Sequence, residues 1–190
     1  MLRLLCFGDS NTYGFAPPDG RYPFQQRWTG RLSQALGPGW QVIEAGLNGR
    51  CAGSYDELWP ELNGVDVICR YLDKYAPLDG IIVMLGTNDA LVCQAPDIAA
   101  SMSCLLDRIL THPGTVSNHT AVLLVAPVPF SDALVLGPAS RQLAAFYRCL
   151  AADKGVRFAD AGAWKTDMNE DGCHFSPEGH RIFALKVAEA

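Results

Sequence analysis

Five apolar runs punctuate the chain, over residues 2–7, 41–45, 80–85, 121–126 and 156–159, drawn largely from Val, Ile, Leu and Phe. The third and fourth are apolar at consecutive positions, as strands covered by helices on both faces must be. The longer mixed segments between the runs predict helices over 27–36, 55–62 with 65–75, 95–110, 138–153 and 177–188. The last opens on Ser176-Pro177, a hydroxyl cap followed by proline in the first turn. Strand and helix in alternation predict βαβ units and a mostly parallel sheet, the α/β class. No repeat, low-complexity tract or linker interrupts the pattern, so residues 1–190 read as a single domain.

Composition narrows the partners. Hydrophobic residues make up 49% of the 190 and charged residues 18%, a balance that supports a packed core and argues against disorder. The formal charge is −5 with no run of Lys or Arg, which makes nucleic acid and anionic membranes poor electrostatic partners. No stretch has the roughly 18 apolar residues of a membrane helix. The first apolar run is too short for a secretory leader. Seven cysteines are scattered without a CxxC, which fits free thiols in a reducing, cytoplasmic compartment.

Four polar clusters then stand out: Gly8-Asp9-Ser10-Asn11, Asn48-Gly49-Arg50, Gly86-Thr87-Asn88-Asp89 and Asp171-Gly172-Cys173-His174. The first three directly follow the first three predicted strands, and a parallel sheet sends all of those ends to one edge, where open α/β sheets bind ligands. Singly, each has an ordinary reading: a helix cap at Asp9-Ser10, turns at Asn48-Gly49 and Gly86–Asp89, a loop with a surface histidine at 171–174. Their convergence on one edge is what points to chemistry.

Together the four clusters resemble the blocks of the SGNH hydrolases, the GDSL-type esterases and lipases, with GDSN here in place of the commoner GDSL. The stretches around Arg27-Trp28-Thr29-Gly30, Glu44–Arg50 and Asp171–His180 are most similar to the small arylesterase/acyltransferase branch. The resemblance implies a three-layer α/β/α flavodoxin-like fold with about five parallel strands in the order 2-1-3-4-5. It implies Ser10 as nucleophile, His174 as its base and Asp171 as the group orienting the imidazole. It also implies an oxyanion hole from the backbone N–H groups of Ser10 and Gly49 and the side-chain amide of Asn88. No metal and no cofactor is called for. The partner is a small-molecule ester, hydrolysed through an acyl-enzyme that an alcohol can also intercept, and family members of this size also form homo-oligomers. On the same site the family includes carbohydrate acetylesterases, thioesterases and lysophospholipases; a non-catalytic binding module is the reading from another class.

Other residues are weighed against blander roles. Tyr13, Phe15, Trp28, Leu91 and Phe130 either wall the acyl pocket or pack in the core, and the loops 16–26 and 127–137 are expected to shape that pocket. Asp9 and Asp89 read as capping or supporting residues, and Asn11 as holding its own turn. His180, six after His174, matches no common zinc spacing and is expected to pack at the start of the last helix. His112 and His119 flank a Pro-Gly turn and are expected at the surface.

Overall fold

The computed structural model describes residues 1–53, 59–131 and 137–190. Five parallel strands form one sheet: β1 (Leu2–Gly8), β2 (Trp40–Gly46), β3 (Gly80–Met84), β4 (Ala121–Ala126) and β5 (Arg157–Asp160). Their spatial order is β2-β1-β3-β4-β5, the expected 2-1-3-4-5. Side-chain alternation divides the strands between two cores. Leu5, Phe7, Ile81, Val83, Val122 and Leu124 face α3 (Gly64–Tyr75), α4 (Ala95–Thr111) and α6 (Leu143–Lys154). Leu4, Cys6, Ile82, Met84, Leu123 and Val125 face α2 (Trp28–Leu36) and α7 (Pro177–Glu189). Because both faces are covered, β3 is buried at all its positions.

The differences from expectation lie in short pieces. Of the helix expected over 55–62, residues 55–58 lie outside those described, and Pro60–Leu62 form one 3-10 turn that ends before Asn63 caps α3. The helix expected from 138 begins as a 3-10 segment over Pro138–Gln142 and becomes α-helical only at Leu143. Unforeseen are α5 (Pro113–Ser117), one turn capped by the His112 ring, and a two-stranded hairpin pairing Phe15–Ala16 with Gly20–Arg21. His112 accordingly has only 12% of its side chain exposed, bonded to Gly114 N–H and Asp73, while His119 is at the surface as expected. Among the described residues no helix is long and apolar enough to cross a membrane.

The carboxyl ends of β1 and β2 are crossed by a single helical turn, α1 (Ser10–Tyr13). It sits so close that a Cβ on Gly46 would collide with the Tyr13 amide, and one on Gly8 with the Thr12 side chain. Glycine at both strand ends is therefore what lets α1 seat. We expect Gly46→Ala to destabilise the fold by about 2–4 kcal/mol and to displace α1. Gly39→Ala, at an exposed glycine with nothing near its Cβ position, should be within about 0.5 kcal/mol of neutral. Urea unfolding of the two variants measures the contrast.

Candidate active site

The helix cap at the end of β1 belongs to Asp9, whose Oδ1 accepts the Asn11 N–H at 2.9 Å; Gly14, left-handed, closes the turn with its N–H on the Ser10 carbonyl. The Ser10 side chain is thus not used as a cap. Its Oγ lies 3.0 Å from His174 Nε2, across 164 residues of chain. His174 Nδ1 is 2.8 Å from Asp171 Oδ2. An ionised carboxylate only accepts, so Nδ1 carries the proton and Nε2 is left as the acceptor for the serine hydroxyl.

The loop is preorganised around that carboxylate. Asp171 Oδ1 accepts the N–H groups of both Cys173 and His174 at 2.9 Å, leaving Oδ2 for the imidazole. Partial burial pushes the Asp171 pKa up, but the two amides and the His174 ring together outweigh it and hold the group below the usual carboxylate range. Asp171 therefore stays ionised through the neutral range. The Phe15 ring covers His174 with centroids 4.7 Å apart. Its hairpin is held by Arg21, which donates to the Tyr13 carbonyl at 2.8 Å and stacks 4.2 Å from the Tyr13 ring centroid. Beside it Arg27 meets Glu44 through two bonds of 2.8 Å, with the Thr29 hydroxyl on the same carboxylate.

Opposite the histidine lies the turn after β2. Gly49 has φ +79°, a left-handed conformation that suits glycine. The Asn88 side-chain amide donates to the Arg50 carbonyl at 2.9 Å, which ties the end of β3 to the Gly49 turn and leaves the second amide hydrogen for another acceptor. Arg50 itself is fully buried. It donates to the carbonyls of Gly8 and Ala45 and to the Tyr71 hydroxyl, and lies 4.3 Å from the Phe7 ring centroid. Burial lowers its pKa, with Tyr71 opposing. Asp89 receives the Ala52 N–H at 2.8 Å and the Gly53 N–H at 3.4 Å, fixing the chain beyond Arg50. Asp9 and Asp89 are thus supports, as their positions suggested.

Ser10, His174 and Asp171 come together, with Gly49 and Asn88 tied to each other through Arg50. The expected pocket residues scatter. Of the two readings open for Trp28, the structure has it packing: it is buried in the second core against Phe183, with its main-chain N–H on His180 Nδ1. Phe130 is buried in the first core with its ring against Gly137. Tyr13 faces Arg21, and Leu91, three residues past Asn88, is 49% exposed. The 127–137 loop falls partly on residues 132–136, outside those described. His180 is buried at the start of α7, where burial and the nearby Arg31 and Arg27 lower its pKa to about 3; neutral, it accepts the Trp28 amide at the start of α2. Among the described residues no three His, Cys, Asp or Glu side chains converge as a metal site.

Two residues escaped the sequence reading. Arg50 gave no sign that a loop arginine would be wholly buried. Asn11 does not hold its own turn: its amide bonds the main chain on both sides of His174.

A model of the GDSL-like lipase/acylhydrolase family matches residues 6–182. An aryl esterase of M. smegmatis is 36% identical, with a TM-score of 0.91 over 100% of this chain and 97% of its own. Est24, a carbohydrate acetylesterase of Sinorhizobium meliloti, is 34% identical, with a TM-score of 0.92 over the same shares. A further carbohydrate acetylesterase family member from S. meliloti is 30% identical, with a TM-score of 0.90 over 100% and 96%. No curated protein sequence matches.

Asp9 gives the site a pH-dependent cost. Burial pushes its pKa up to about 6, only partly offset by the Asn11 N–H. Because the folded pKa lies above the unfolded one, the native state holds the proton more tightly, and stability falls as pH rises from about 4 through 6. Asp9→Asn keeps the capping oxygen and removes the charge. It should gain up to about 3 kcal/mol relative to the parent at pH 8 and almost nothing at pH 3.5. Urea unfolding at the two pH values reads the difference.

Proposed function

The chain belongs to the GDSL-like lipase/acylhydrolase family, hydrolases of carboxylic esters, and on that premise we propose that it cleaves short-chain acyl esters, aryl esters among them, through an acyl-enzyme on Ser10. The observation that carries the reading is the 3.0 Å contact of Ser10 Oγ with His174 Nε2, whose other nitrogen is held by Asp171.

A serine hydroxyl is a weak nucleophile until a base takes its proton as it attacks. His174 Nε2 accepts that proton while Oγ bonds to the ester carbonyl carbon, and Asp171 stabilises the imidazolium. The carbonyl oxygen becomes an oxyanion. Its donors are the N–H groups of Ser10 and Gly49 and the Asn88 amide hydrogen not engaged by Arg50. Collapse breaks the bond to the alcohol oxygen, which leaves with the proton from Nε2. Water, deprotonated by the same nitrogen, then attacks the acyl-serine, and the acid departs as Ser10 regains its proton. An alcohol in place of water gives a new ester by the same steps. No metal or cofactor enters any of them.

A carbohydrate acetyl ester is the second reading, favoured by the 34% identity to Est24. Both readings share a short acyl group and differ in the alcohol. Leu91 and Phe15 are the residues proposed to border the substrate, one on the Asn88 side and one on the His174 side. All seven cysteines are free, which supports a reducing, cytoplasmic setting.

Ser10→Ala should reduce p-nitrophenyl acetate hydrolysis to the buffer rate and abolish labelling by a fluorophosphonate; retained turnover in the folded variant removes the serine mechanism. Asn88→Ala should lower kcat by about 10²–10³-fold with little change in KM, because the oxyanion exists chiefly at the transition state. Across p-nitrophenyl esters from acetate to palmitate the rate should fall with chain length, and a rise would overturn the short-acyl assignment. Acetylated glucose assayed beside p-nitrophenyl acetate separates sugar from aryl alcohols.

A further inference from the structure

From the contacts of a single buried amide we infer that Asn11 is a positioning residue, the clasp that sets His174 against Ser10. The inference rests on the proposed roles of those two residues and adds the device that fixes their separation.

The nucleophile and its base reach the site on different bodies. Ser10 rides on α1, four residues long and seated on Gly8 and Gly46 without room to shift. His174 rides on an irregular stretch between the 3-10 turn Ala161–Trp164 and α7, with no strand or helix around it. That stretch is bonded within itself, by the Asn169 N–H on the His174 carbonyl at 2.8 Å, and to its surroundings, by the Ser131 N–H on the Gly172 carbonyl at 3.3 Å, the Tyr22 hydroxyl beside Asn169 and the Phe175 ring on Phe183 of α7. None of these contacts joins it to α1. A hydroxyl–imidazole contact is itself too weak a tether for the task, since it must break and reform at every turnover.

Asn11 supplies the direct tie between that stretch and α1. Its Oδ1 accepts the Phe175 N–H at 2.8 Å, and its Nδ2 donates to the Cys173 carbonyl at 3.1 Å. These are the main-chain groups of the residues immediately before and after His174. The side chain belongs to the residue immediately after Ser10, so the clasp and the reacting pair are adjacent on both bodies. The partners are one donor and one acceptor, which fixes which way the amide faces. They also explain the residue type. Leucine has the size but neither group, aspartate opposes an oxygen to the Cys173 carbonyl, and glutamine places the amide one methylene too far out. Asn11 is 5% exposed, so water does not replace either bond when the amide is removed.

A group held by two bonds at adjacent peptides cannot rotate as it could about one. Loss of both frees the His174 segment to drift from Ser10, and an ångström of misplacement in a reacting pair is worth up to about a hundredfold in rate.

The test is Asn11→Leu in the full chain, with Ser10→Ala beside it. We expect kcat/KM for p-nitrophenyl acetate to fall about 10- to 100-fold and the second-order rate of fluorophosphonate inactivation to fall by the same factor. Every molecule should still be labelled at long times, since the nucleophile is intact and the chain is folded. A residue that only stabilises the fold would lower the melting temperature and leave the inactivation rate of the folded protein unchanged; that result overturns the inference. A loss confined to KM, with inactivation as fast as the parent's, also overturns it. Should Asn11→Leu not fold, hydrogen exchange of the Phe175 amide in the parent protein decides: slow exchange supports the clasp, and exchange at the rate of an exposed loop ends it. Retained activity in Ser10→Ala would instead strike the proposed function, so the two failures are distinct.

Discussion

One buried cation organises the carboxyl edge of the sheet. The Arg50 guanidinium joins the Gly8 carbonyl at the end of β1 and the Ala45 carbonyl, one residue before the end of β2, to the Tyr71 hydroxyl of α3, and its own main-chain carbonyl takes the Asn88 amide. Strand ends normally diverge into separate loops; here two of them are referred to one side chain and a third to the same residue's carbonyl. A buried charge without hydrogen bonds is costly, and Arg50 meets most of that cost with carbonyl oxygens, a hydroxyl and two ring faces, while its Nε has no partner among the described residues. The result is a tied rim at Gly49 and Asn88 with a buried cation bonded to the strand ends beneath it.

Around that charge the carboxylates differ in their hydrogen bonds and in their burial. Asp171 receives two amides and an imidazole and stays ionised. Asp89 receives the Ala52 and Gly53 amides. Asp9 is wholly buried with one amide on Oδ1, and burial pushes its pKa up to about 6. Asp9 and Asp171 thus differ in proton affinity because the first is wholly buried while the second, a third exposed, is held by two amides and an imidazole.

The strands were legible from sequence to within a residue or two because a doubly covered strand must be apolar throughout, and few other elements are. Gly49 read as a turn residue, whereas Gly8 and Gly46 serve close packing, which depends on α1 lying over them and has no local signal. Trp28 left two readings open in the sequence, pocket wall or core packing, and its place on α2 packs it against Phe183 of α7. Short elements were lost because a hairpin of two residues a side and a five-residue helix have too few positions to establish a period. The two-sided grip of Asn11 was not readable either, since its partners lie 162 and 164 residues away. The motif could name which residues meet, and only the tertiary structure could show what holds them together.

The sheet is complete at Asp160, whereas the candidate base comes later, at His174. Chains are synthesised from the amino terminus, and a domain folds as its elements become available. During synthesis the Ser10 turn and all five strands therefore emerge before His174, the proposed base. A nascent chain holds Ser10 with no imidazole beside it. Joining α1 to the loop before α7 makes the Ser10–His174 contact a late one, closed only after all five strands have been synthesised.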